Sequence, residues 1–119
     1  VTDGYIQTQN NKINVLGIKK RFDRILITEE LGREFWKPSI VPFSKICDSL
    51  EVSPMEAIYI ADNPQKDFKG PNQLGMHSIR LQLKDGEYYK SEPENKKFAP
   101  SAVVYNIENL KSEVNRYNV

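Results

Sequence analysis

The run Ile58-Tyr59-Ile60-Ala61-Asp62-Asn63-Pro64-Gln65-Lys66-Asp67 constrains the fold more than any other stretch of the chain. Its first residues are apolar or aromatic and suit a buried strand. A turn built on Asn63 and Pro64 follows, and it carries two carboxylates, Asp62 and Asp67. Beyond them a helix-like run stops at Gly75. A strand that ends on an Asp and turns into a helix puts that carboxylate at the C-terminal edge of a sheet, where open α/β sheets bind ligands. Two carboxylates with only Lys66 as a basic neighbour suit a hard cation such as Mg2+. The same residues also suit a plain connection, with an N-cap Asp and a solvated second Asp.

The flanking segments alternate in type. Val1-Thr2 reads as the end of a strand, and Asp3-Gly4 as a turn. Tyr5 to Leu16 predicts a helix, with Ile6, Ile13 and Leu16 available to pack and Gly17 as its stop. Arg24 to Thr28 is rich in branched residues and predicts a short strand. Glu29 to Trp36 reads as a loop or a turn of helix. Pro38 keeps Lys37 on extended or turn backbone. Ser39 is placed to cap a helix that carries Ile40, Phe43, Ile46, Cys47 and Leu50 on one apolar face. Cys47 on that face reads as core. Ser53-Pro54-Met55-Glu56 is a capping-box pattern that starts a single turn before the strand at Ile58.

Past Gly75, Met76 to Leu83 has Ile79, Leu81 and Leu83 at period two, a strand with one side more polar. His77 at its start reads as structural or solvated. Lys84 to Pro100 is charged and holds Asp85-Gly86, Pro93 and Pro100, so it predicts a long surface loop. Tyr88-Tyr89 within it suits ordinary packing, or the cover of a site. Ala102 to Tyr105 predicts a last strand, and Ile107 to Val114 a helix with Ile107, Leu110 and Val114 on one face. This alternation predicts an α/β fold, a Rossmann-like parallel sheet with helices on both faces.

Composition narrows the function. A chain of 119 residues predicts one domain, 1–119. Its formal net charge is +1 with the basic residues scattered, so no concentrated patch for nucleic acid is expected. No apolar run approaches a membrane span. A single cysteine, Cys47, forbids an internal disulfide and points to a cytoplasmic setting.

Three separated features line up: Thr2 at a strand end, Lys37 ahead of a helix, and Asp62 with Asp67 around another strand end. With these the chain resembles the haloacid dehalogenase (HAD) superfamily, in particular the group similar to phosphoglycolate phosphatases. Val1-Thr2-Asp3-Gly4 is similar to the family's second motif, a strand ending in Ser or Thr. Lys37-Pro38 is similar to the third, a Lys often followed by Pro. Asp62-Asn63-Pro64-Gln65-Lys66-Asp67 is similar to the acidic fourth motif, with Ala61 where Gly is usual. Phe22-Asp23, Glu30-Leu31-Gly32 and Leu74-Gly75-Met76 fit the connecting text.

The resemblance implies roles. Thr2, with the backbone at Asp3, would bind a phosphoryl oxygen. Lys37 would neutralise charge on the phosphoryl group and its nucleophile. Asp62 would ligate Mg2+, and Asp67 would stand behind it or hold Lys37. The family's first motif, Asp-x-Asp-x-Thr, supplies the nucleophile that becomes a phosphoaspartate and the general acid and base. No such motif occurs in this chain. The expectation is therefore the C-terminal part of a phosphatase of small phosphorylated substrates, inactive alone and binding Mg2+ weakly. The alternative is a non-catalytic HAD-like module that binds a partner or a phosphorylated ligand. In the family the strand with the first motif lies between those ending at Thr2 and Asp62. The expectation is then an open edge along Ile58 to Ala61, paired with a second copy or with an N-terminal complement.

Overall fold

Branched and aromatic residues draw three short segments into extended backbone: β1 (Ile58–Ala61), β2 (His77–Leu81) and β3 (Ala102–Val104). They pair in parallel in the order β1-β2-β3, with Tyr59 opposite Ser78 and Arg80 opposite Val103. The computed structural model describes residues 1–117. Parallel neighbours need crossovers. Helix α3 (Lys69–Leu74) lies between β1 and β2 in the chain, and it stops where Gly75 turns left-handed at φ +83°. Helix α2 (Val41–Leu50) precedes β1, and α4 (Ile107–Asn115) follows β3. Helix α1 (Ile6–Leu16) ends at Gly17 as its sequence predicts.

The helices take both faces of the sheet. Tyr59 packs edge-on against Phe43 of α2, ring centroids 4.8 Å apart. Ser78, beside Tyr59 in the register, donates from Oγ to Asn72 Oδ1 of α3 at 2.9 Å. His77 points the other way and lies against the Tyr117 ring just past α4, at 4.3 Å. The core gathers Phe43, Cys47 and Met76, with Ile46, Ala57, Tyr59 and Leu74 around them. Gly70 lies so close that an added Cβ would meet the Phe43 ring at 2.7 Å.

Several expected elements differ. Arg24–Thr28 is not a strand: Ile27 alone pairs, in an isolated parallel bridge with Thr2. Thr2 N donates to Leu26 O and Thr28 N to Thr2 O, both at 2.9 Å, and then the chain turns at Gly4 with φ +137°. That turn ends the pairing after one bridge. Glu29–Trp36 resolves into two 3-10 turns, Thr28–Leu31 and Arg33–Phe35, split by Gly32 at φ +106°. The strand expected over Met76–Leu83 is confined to His77–Leu81. Its more polar side is buried, not wet: Ser78 and Arg80 are both shielded. Ser39 acts one residue early; the helix starts at Val41, whose N–H donates to Ser39 Oγ at 3.2 Å.

The long loop from Lys84 to Pro100 is fastened to the sheet. Arg80 Nη2 donates to the carbonyls of Tyr88 and Ser91 at 2.9 and 2.8 Å. Gln82 Nε2 donates to Tyr89 O at 2.8 Å, and Asn72 Nδ2 to Ala99 O at 2.6 Å. A 3-10 turn, Lys96–Phe98, buries Phe98. Strand β1 has β2 as its sheet neighbour, and β3 lies beyond β2.

Candidate active site

The C-terminal end of β1 delivers the acidic loop, and side chains from two distant segments close on it. Lys37 Nζ forms an ion pair with Asp67 Oδ1 at 2.8 Å and donates to Tyr59 Oη at 3.2 Å. The side chains of Lys37 and Asp67 are only 8% and 4% exposed, so water screens this pair little. Asp67 Oδ2 accepts from the Asn63 N–H at 3.0 Å. Asn63 Oδ1 in turn accepts from Gln65 N, and Asn63 O from Asp67 N, each at 3.0 Å. The loop between the two carboxylates is thus wound on Asn63, which tolerates such local hydrogen bonds well.

Burial pulls the Lys37 pKa down, but the Tyr59 hydroxyl and the Asp67 carboxylate outweigh it and hold the ammonium above the ordinary lysine value. Burial raises the Tyr59 phenol against the pull of Lys37. Lys37 therefore stays charged at neutral pH. The Lys37–Pro38 peptide is cis.

The Thr2-Asp3-Gly4 turn is fastened from several segments. Thr28 Oγ1 donates to Asp3 Oδ1 at 2.7 Å, and Lys37 N donates to the same oxygen at 3.3 Å. Lys66 Nζ forms an ion pair with Asp3 Oδ2 at 2.9 Å. Burial works against the Asp3 carboxylate, yet Lys66, Thr28 and the Lys37 amide hold its pKa below the usual carboxylate value. Gln9 of α1 donates from Nε2 to Thr2 Oγ1 at 2.8 Å and to Asp3 O at 2.6 Å. With Gln9 as its donor, the Thr2 hydroxyl has its own proton free to give. Among the described residues, the N–H groups of Asp3 and Gly4 donate to no protein acceptor.

Lys37, Asp67 and the Asp3 turn therefore meet in one network. Asp62 stands apart at the end of β1, exposed, and its carboxylate enters no hydrogen bond or ion pair among the described residues. Both oxygens of Asp67 are engaged by Lys37 and Asn63. No group of three or more His, Cys, Asp or Glu side chains with metal-holding geometry occurs among the described residues.

Tyr59, Thr28 and Gln9 carry no sequence signal as site residues. Tyr59 reads as an ordinary strand aromatic, and nothing in the sequence shows that its hydroxyl reaches Lys37. Lys66 carried a signal, since it is the one cation inside the acidic loop. Trp36 meets Tyr5, the residue after the turn, edge-on at 6.3 Å, with the Arg33 guanidinium 4.7 Å from the Tyr5 ring.

The model of the haloacid dehalogenase-like hydrolases matches residues 1–81. The chain belongs to that family. It is 38% identical over 95 residues to a glyceraldehyde 3-phosphate phosphatase of Methanopyrus kandleri, covering 80% of this chain and 39% of that protein. It is 32% identical over 79 residues to a phosphoserine phosphatase of Thermus thermophilus, covering 66% of this chain and 31% of that one. Among solved structures, a 2-haloacid dehalogenase of Pseudomonas syringae superposes with a TM-score of 0.70 at 25% identity, over 88% of this chain and 42% of that chain. The hydrolase YfnB of Bacillus subtilis, solved bound to magnesium, superposes with a TM-score of 0.77 at 22% identity, over 97% of this chain and 47% of that chain. The HAD fold and a general kinship with phosphatases follow. The chain spans less than half the length of these relatives.

Proposed function

We propose that this chain is the phosphoryl-binding part of a Mg2+-dependent phosphomonoester hydrolase. One observation carries the reading: Thr2, Lys37 and the Asp62–Asp67 loop, far apart in sequence, converge, with a buried ammonium kept charged among them. The Thr2 hydroxyl and the free amides of Asp3 and Gly4 donate to the phosphoryl oxygens. Lys37 faces them with a compact charge, and Asp67 with Tyr59 keeps that charge in place. Asp3 contributes through its backbone, because its carboxylate is occupied and negative.

Asp62 is the metal ligand this chain offers, free and exposed at a strand end. Mg2+ keeps several waters and takes one or two carboxylates alongside substrate oxygens, so Asp62 fits as one ligand and at least one more oxygen must come from elsewhere. Bound there, the ion offsets phosphoryl charge and orients the group. A phosphoaspartate route needs a carboxylate nucleophile and an acid-base partner. We place both outside this chain, in the part of the relatives that it does not span. The substrate is a small phosphomonoester, in keeping with the names of the relatives, and not a nucleic acid or a membrane surface. A cytoplasmic setting fits the single buried thiol.

Hydrolysis of p-nitrophenyl phosphate tests the reading. The chain with Mg2+ alone is expected to be inert. With a preceding segment that carries an Asp-x-Asp motif it is expected to turn over. Lys37→Ala and Asp62→Ala should then each lower the rate by roughly 10²-fold or more. Turnover by the chain alone that Asp62→Ala abolishes would overturn the placing of the nucleophile. Continued inertness with that segment supplied would favour a binding module.

A further inference from the structure

Consecutive residues of the acidic loop take different partners. Asp67 pairs with Lys37, and Lys66 pairs with Asp3, a residue 63 positions away. The two pairs make a quartet with two positive and two negative charges. The Asp3 carboxylate belongs to the turn whose hydroxyl and amides would hold phosphate, and its side chain is only 5% exposed. Thr28 Oγ1 and the Lys37 amide satisfy one of its oxygens, but neither carries charge. The second oxygen has Lys66 as its partner. An anion site that holds an uncompensated carboxylate repels its own ligand.

We propose that Lys66 is a positioning residue of the phosphate site: it cancels the Asp3 charge and fastens the Thr2–Gly4 turn to the acidic loop. The role rests on the phosphoryl-binding reading above. Lys66 is 38% exposed and sits on the outer side of the quartet, whereas Lys37 is enclosed. The two lysines thus divide the work. Lys37 supplies charge for the phosphoryl group, and Lys66 removes the charge that would oppose it. The lowered Asp3 pKa, to which Lys66 contributes, accords with this.

Charge logic gives a test that plain scaffolding does not reproduce. Inorganic phosphate is titrated into the protein and its affinity measured by calorimetry. Lys66→Met should weaken phosphate roughly tenfold, the scale of losing one charged hydrogen bond. Lys66→Arg should stay within about twofold of the parent, because it keeps the charge. In Asp3→Asn/Lys66→Met the quartet is neutral again, and the Asn oxygen still accepts from Thr28 and Lys37. Most of the lost affinity should return. Parent-like affinity in Lys66→Met overturns the proposal. So does a double variant as weak as Lys66→Met. Parent-like amide exchange at Tyr59 and Ile79 separates a local effect from unfolding. Failure of the parent to bind phosphate would count against the phosphoryl-binding reading itself. Exchange at the Thr2 and Thr28 amides then still decides the fastening: faster exchange in Lys66→Met supports it, and unchanged exchange overturns it.

Discussion

Lys37 shows how a single residue gains a role from its surroundings. On sequence it is one lysine among many. In the fold its ammonium is enclosed by Asp67 and the Tyr59 hydroxyl, which together outweigh the penalty of burial. Tyr59→Phe deletes one of those partners and leaves the ring on Phe43. It should cost about 0.5–1.5 kcal/mol of stability in urea denaturation, the usual worth of one hydrogen bond. Titration adds a second check. Asp3 has a lowered folded pKa, so its contribution is complete above the ordinary value of 3.8 and is lost as pH falls through the folded value. Lys37 has a raised folded pKa, so its contribution is complete below 10.5 and is lost only as pH rises beyond it. The melting temperature should therefore be insensitive to these two groups between those limits. Lys37→Met should remove the alkaline loss, and Asp3→Asn the acid one.

Among the elements, two contacts fix how the sheet meets its neighbours. Helix α3 approaches α2 through Gly70, where a methyl group would press on the Phe43 ring at 2.7 Å. Gly70→Ala should destabilise by about 1–3 kcal/mol as an overpacked core does, even though Ala is the better helix former. Phe43→Leu in the same chain should recover part of that loss, read by thermal melts. The second contact is the buried guanidinium of Arg80, spent on two loop carbonyls. Without it those carbonyls lose their donor, and the Lys84–Ser91 segment should open. Arg80→Met is expected to raise amide exchange at Tyr89 and Ser91, whose N–H groups donate to Gly86 O and Tyr88 O. The amides of β1 should change little.

At the scale of the molecule, the sheet is open along β1. Its described neighbour is β2, and Ile60 is 42% exposed. An apolar edge with unpaired backbone invites another strand. The short Thr2–Ile27 bridge is a separate piece of parallel pairing; the Lys66–Asp3 ion pair ties the turn after it to the loop after β1, and among the described residues no backbone hydrogen bond joins the bridge to β1. We expect this chain by itself to associate with copies of itself at micromolar concentration, as sedimentation velocity would show. A peptide or domain that adds a strand beside β1 should suppress the association and protect Ile58–Ala61 from exchange. A monomer with strong protection there would contradict this.

Local physics commits several elements from the residues alone. Gly17 and Gly75 end helices because only left-handed backbone satisfies the last carbonyls, and the spacing of Phe43 and Cys47 commits α2 to its apolar face. Resemblance also made Thr2, Lys37, Asp62 and Asp67 candidates, because those residue types recur in a fixed order. Partnership, by contrast, comes from the folded chain. Which carboxylate stays free, which is spent on Lys37, and why Asp3 needs Lys66 depend on distances between segments up to 63 residues apart. Arg24 to Thr28 shows the same division: its residues favour extended backbone, but a strand exists only where a neighbour pairs with it, and the turn at Gly4 left it a single bridge.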